Sequence, residues 1–212
     1  YAPSGNGLTV DGRVRDAADR TQWALFAEDE WSLTSNFALT AGARLDDHDL
    51  YGSRISPRLY GVWKPAAGLI VKGGVSTGFR APDIRQTLAD WGQTSRGGNV
   101  YGNPDLEAET SLTYEASVIY EVGRDLEIGL TAYQTDFEDK ILRVTCVEAG
   151  AWCVSEPANS SGRFGTTYIN VDEVRIRGLE ATLDARLTDS ITFKATGTLN
   201  DSEQLTEIGR AH

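Results

Sequence analysis

Methionine is absent from this chain, and cysteine and histidine occur only twice each among 212 residues. So small a set of soft ligands excludes a zinc-type centre assembled from several Cys and His. Without Met, the adaptable filler of packed helical cores is missing too. No run of about 18 consecutive apolar residues occurs, which excludes a membrane-spanning helix. Basic residues are scarce beside acidic ones, 20 against 31, for a net charge of -11. Nucleic acid needs a basic face to neutralise its phosphates, so it is not an expected partner.

What the chain does have is 22 glycines, five tryptophans and a repeated period-two pattern. Leu179, Ala181, Leu183, Ala185 and Leu187 alternate with Glu180, Thr182, Asp184 and Arg186. Phe37 to Leu45, Leu112 to Val122 and Ile191 to Leu199 alternate in the same way. Successive side chains on a strand point to opposite faces, so each segment has one apolar and one polar side. About eight such strands are expected, near 18–32, 36–48, 53–64, 68–79, 110–122, 125–141, 166–187 and 189–201. Several exceed ten residues, where strands of soluble sheets run to about five or six. A tilted strand crossing a bilayer needs roughly nine to eleven.

The connections alternate as well. Turn sequences at 32–36, 64–68, 123–125 and 188–190 are short, whereas the links 46–53, 80–109 and 143–166 are longer. Short turns at one end and long loops at the other suit an all-β, antiparallel transmembrane β-barrel with periplasmic turns. Trp31, Phe37, Trp63 and Tyr120 fall near the turns, where an aromatic girdle would sit. Patterning alone leaves a soluble β-sandwich open. The opposing face carries Arg44, Arg54, Arg58, Lys72, Glu115, Glu180, Asp184 and Arg186. In a sandwich core each of these charges needs a partner, whereas a wet or plugged lumen asks for none.

The run Lys72-Gly73-Gly74-Val75-Ser76-Thr77-Gly78-Phe79-Arg80-Ala81-Pro82 resembles a hallmark of TonB-dependent receptors, in which a barrel strand ends in "GFRAP" and enters an outer loop. Gly102-Asn103-Pro104-Asp105-Leu106-Glu107-Ala108-Glu109-Thr110-Ser111 is similar to the segment that opens the family's next strand. Phe26 to Trp31, Ser56 to Tyr60, and Asn170 to Glu180, which includes Gly178, follow in family order. The wording is most similar to receptors for ferric catecholate siderophores, of the enterobactin and colicin I receptor type. That resemblance implies a bacterial outer-membrane importer with a barrel of roughly 22 strands filled by an N-terminal plug. Its expected partners are a ferric siderophore, outer-membrane lipid, and the TonB energy-coupling protein, reached through an N-terminal region missing here. Residues 1–212 are then one partial barrel domain, with the plug and the final strands outside the chain. Import of cobalamin, haem or a glycan, and a soluble binding or adhesion module, stay open as alternatives.

Candidate sites follow from that frame. Arg85, Trp91, Arg96 and Tyr101 lie in the longest loop, where guanidinium and aromatic groups suit a bulky, aromatic, anionic chelate. Phe79, Arg80, Ala81, Pro82, Asn103, Pro104, Asp105, Leu106, Glu109, Gly178 and Glu180 are expected to be structural members of the family motifs. Cys146 and Cys153 are expected to form a disulfide, because nearby thiols outside the cytosol usually pair. The run Asp46-Asp47-His48-Asp49 reads as a solvated acidic tip, with calcium the only metal worth entertaining. No resident cofactor is expected, iron entering only as the ferric siderophore. Nothing opposes the paired acids Glu28 and Glu30, or Glu107 and Glu109, as an acid–base partner, so no catalysis is expected.

Overall fold

A computed structural model of the chain describes residues 7–8, 19–88, 92–155 and 161–205. Eight long strands form one antiparallel meander: β2 (Gln22–Thr34), β3 (Phe37–His48), β4 (Gly52–Ala66), β5 (Leu69–Arg80), β8 (Glu109–Val122), β9 (Leu126–Thr145), β10 (Thr166–Thr188) and β11 (Ile191–Gln204). Three two-residue strands complete the sheet: β1 (Gly7–Leu8), β6 (Gly92–Gln93) and β7 (Val100–Tyr101). No helix among the described residues is long and apolar enough to cross a membrane. The strands do the crossing.

Register makes the wall two-faced. One rung runs Phe37, Trp63, Val71, Val118, Leu130, Ala181, Gly197 and is apolar throughout. A rung on the other face runs Glu30, Thr40, Tyr60, Gly74, Glu115, Tyr133, Gly178, Asn200. The apolar face is open, with Phe193 50% and Leu199 75% exposed. Exposed apolar area on that scale requires a hydrocarbon partner, and no helical layer covers it among the described residues. Trp31, Phe37, Trp63 and Tyr120 share this face near the tight turns, at the level where amphipathic rings meet the interface.

On the polar face, glycine allows large groups to lie flat. A Cβ on Gly74 would strike the Leu59 carbonyl and the Tyr60 ring, and Tyr60 crosses above Gly74 to donate to Glu115. Some of the charges also find partners: Arg58 sits 3.1 Å from Glu28, Arg44 is 2.8 Å from Asp46, and Lys194 pairs with Asp184.

The strands near 18–32, 125–141 and 189–201 run later than the pattern suggests, to Thr34, Thr145 and Gln204. Beyond the bilayer band the outward side chains become polar, as in Arg175 on Asp136 at 2.5 Å, so the apolar alternation fades while the ladder continues. A second correction concerns the tip of β3. Asp46 and His48 are 3% and 6% exposed, so the acidic run is solvated only on the side of Asp47 and Asp49. Asp46 is gripped by Arg44, and the His48 ring meets the Tyr51 ring in a tilted contact with centroids 5.0 Å apart. No group of three or more His, Cys, Asp or Glu among the described residues is arranged to hold a metal.

Candidate outer loop site

The loop between β5 and β8 has structure that the sequence pattern did not show. It contains a 3-10 turn at Ile84–Gln86 and the short strands β6 and β7, which pair with each other. Part of its placement comes from backbone pairing with β10. The described part of the ladder between β10 and β11 runs to Val174 and Gln204, and Leu205 donates its N–H to the Glu173 carbonyl at 3.0 Å. Backbone groups along a strand edge need partners. At Thr166 the long loop provides them: Val100 pairs with Thr166, and Thr166 donates its N–H to the Asn99 carbonyl at 2.7 Å.

Side chains extend this attachment. Asn103 Nδ2 donates to the Tyr168 carbonyl at 2.9 Å, and the Thr167 hydroxyl donates to the Tyr101 carbonyl at 3.2 Å. Asn170 accepts from Glu107 N–H at 2.9 Å and donates to the Glu107 carbonyl at 3.1 Å and the Asp139 carbonyl at 2.6 Å. The Tyr51 hydroxyl donates to the Leu106 carbonyl at 3.0 Å, tying the β3–β4 tip to the same segment. Burial raises the Tyr51 hydroxyl pKa, so it stays a donor. By alternation along β10, Tyr168 and Asn170 lie on the face of Gly178 and Glu180, which is the lumenal one.

These contacts give the motif residues physical roles. Gly102 packs where a Cβ would strike the Leu88 carbonyl. Asn103 Oδ1 also accepts the Asp105 N–H at 3.0 Å, closing the turn over Pro104, and Leu106 is buried at 3%. Glu109 is buried and accepts the Ile141 N–H at 3.0 Å, with Arg80 3.8 Å away. Phe79 pairs with Thr110 on the ladder, Ala81 follows the strand, and Pro82 is buried at the entrance to the loop. Gly178 lies beneath the Tyr133 ring, and Glu180 is exposed on the lumenal face. None of these residues needs a ligand to explain its placement.

Of the four candidate ligand residues, Arg85 in the 3-10 turn and Arg96 in the tip following β6 are exposed. Trp91 lies outside the described residues. Tyr101 is 2% exposed and packs against Cys146 and Cys153, so its ring holds loops together and is not offered to a chelate. Those cysteines are bonded to each other. The disulfide closes a hook in the β9–β10 loop that begins with a short helix, Cys146–Ala149. Thr145 and Glu148 cap each other's backbone there, and the hydrogen bonds from Thr145 hold the Glu148 carboxyl below its usual pKa. Sequence reasoning missed Tyr51, and took His48 only as part of the acidic run. Asn170 entered it only as the first residue of a motif, with no role assigned. A polar residue within an apolar alternation was the one available signal for it.

The family described as "TonB dependent receptor-like, beta-barrel" matches residues 1–208. Over 190 residues the chain is 49% identical to an iron-regulated outer membrane virulence protein of Vibrio cholerae serotype O1, covering 90% of this chain and 29% of that protein. It is 31% identical over 200 residues to a ferric enterobactin receptor of Pseudomonas aeruginosa, covering 88% of this chain and 26% of that one. The crystal structure of the siderophore receptor PirA from Pseudomonas aeruginosa superimposes with a TM-score of 0.73 at 26% identity, over 86% of this chain and 34% of that one. The chain thus spans under a third of the curated relatives it matches.

Proposed function

Because the chain belongs to the TonB-dependent receptor β-barrel family, whose members are outer-membrane transporters and receptors, we propose that it serves uptake of a ferric catecholate siderophore across the outer membrane. The observation that carries this reading is the long loop fastened over the lumenal end of β10 with Arg85 and Arg96 exposed on it. Two guanidinium groups held at the mouth attract a multiply anionic chelate and stack on its catechol rings. The relative named for ferric enterobactin supplies the ligand class. Iron then enters as cargo inside the chelate. The wall does no bond chemistry, and release inward is driven through the TonB protein.

The test uses the full receptor in a strain lacking other iron receptors, with ferric enterobactin as sole iron source. Growth and binding of the labelled chelate are expected with the native receptor, and a loss of at least tenfold in affinity with Arg85→Glu and Arg96→Glu combined. Unchanged affinity in the double variant removes these residues from the site. Failure of the native receptor to bind removes the ligand class.

A further inference from the structure

We infer that Asn170 is the positioning residue of the outer loop: one side-chain amide fixes the loop, β9 and β10 to one another, and so sets where the loop's cationic groups stand. The inference rests on the uptake reading above only for what the loop captures. Its geometric part stands by itself.

Three segments far apart in sequence meet at this amide. Oδ1 takes the Glu107 N–H, while Nδ2 gives hydrogen bonds to the Glu107 and Asp139 carbonyls. The pair of bonds to Glu107, one accepted and one given, copies what a neighbouring strand would provide. Only an amide has an acceptor and two N–H donors on one planar group; a carboxylate lacks the donors and a hydroxyl has one at most. Gln carries the same group one methylene further out, beyond the three partners. The third bond has its own consequence. Asp139 is the one non-glycine residue among those described with positive φ, at 53°. That conformation is sterically disfavoured, so it persists where neighbours hold it. Asn170 holds it through the carbonyl. Between Lys140↔Val171 and Glu138↔Glu173 the ladder skips Asp139, whose carbonyl accepts from the Asn170 amide instead.

The other anchors of the loop, among them Asn103 to Tyr168, Tyr51 to Leu106, Thr167 to Tyr101 and Thr166 to Asn99, each join two segments rather than three. Losing Asn170 therefore frees the stretch 103–108 on the side of β9 while leaving the wall below untouched. A binding site present in only part of the population shows an affinity lowered by that fraction.

Asn170→Ala and the near-isosteric Asn170→Asp are made in the full receptor, with Asn103→Ala as a two-segment comparison. Receptor number comes from maximal ferric enterobactin binding and from heat-modifiable migration, affinity from titration, and loop order from hydrogen exchange of 100–108. Asn170→Ala is expected to weaken affinity about tenfold with receptor number unchanged and exchange in 100–108 raised. Asn170→Asp is expected to lose at least as much, since its carboxylate faces two carbonyls. Asn103→Ala is expected to lose less than either. Unaltered affinity with a native receptor that binds overturns the inference, as does a fall in receptor number matching the whole loss. If the native receptor binds no ferric catecholate, the uptake reading fails instead, and exchange alone decides: raised exchange supports the positioning role, unchanged exchange overturns it.

Discussion

The wall and the outer junction of this chain are held together by different means. In the wall, each rung is a ladder pair flanked by two near-copies of itself, and its outward side chains need only be apolar. At the junction, hydrogen bonds such as Asn170 to Glu107 and Asn103 to Tyr168 span 63 and 65 positions of sequence, and they do not repeat along a strand. A wall of repeats tolerates any change that respects its two faces. The junction tolerates little, because each side chain there holds a specific backbone group of a distant segment. The comparison makes specific demands, the strongest on the wall.

Leu183 and Thr182 are neighbours on β10 that face opposite sides, Leu183 in the middle of the outward apolar series and Thr182 on the lumenal side. Leu183→Arg is expected to destabilise the barrel and Thr182→Arg much less, since a cation on the lipid face costs about 2–4 kcal/mol at the midplane and less towards the interface. Urea unfolding of the full receptor in lipid, read by heat-modifiable migration, measures both. Equal losses would dissolve the distinction between the faces.

Tolerance within the wall has one exception to expose. Gly74 lies under Tyr60 on the lumenal face, whereas a Cβ on Gly197 meets nothing within 4 Å on the lipid face. Gly74→Ala forces the Leu59 backbone to move and is expected to cost about 1–3 kcal/mol. Gly197→Ala is expected to be neutral or slightly stabilising, since it loses less chain entropy on folding. The same unfolding experiment ranks them. A neutral Gly74→Ala would mean that Tyr60 does not lie across β5 in the assembled barrel.

The contrast also explains which features could be read from the sequence. Leu179 to Leu187 state their own strand and face, because period-two alternation is local and lipid enforces it. The aromatic positions Trp31, Phe37, Trp63 and Tyr120 were legible for the same reason. Tyr101 was not: an aromatic in a loop looks like a ligand platform until the Cys146–Cys153 hook is seen to cover it. Asp46 and His48 looked like a wet tip because charge suggests exposure, yet Arg44 and Tyr51 enclose them. Arg85 and Arg96 were found as residue types, but what holds them in place depends on Asn170, a residue some 75–85 positions away whose local pattern says nothing of its partners.

The smallest effect belongs to Asp139, where the junction carries a cost. Its carboxyl pKa is raised, first by burial and then by Glu107, Asp172 and Glu138. An acid with a raised native pKa binds its proton more tightly folded than unfolded, so stability falls as pH rises from the usual carboxylate range, about 4, through the raised value, and is flat beyond it. The junction is therefore expected to be tighter in mild acid than at neutral pH. Asp139→Asn removes the charge, keeps the backbone carbonyl that Asn170 uses, and suits the left-handed conformation. At neutral pH it is expected to protect 105–108 and 138–141 slightly better against hydrogen exchange, by within about 0.5 kcal/mol, and to flatten the pH dependence. If the substitution instead loosens these segments, the carboxylate itself supports the junction, and the account of a connection made through backbone carbonyls and one amide fails at its centre.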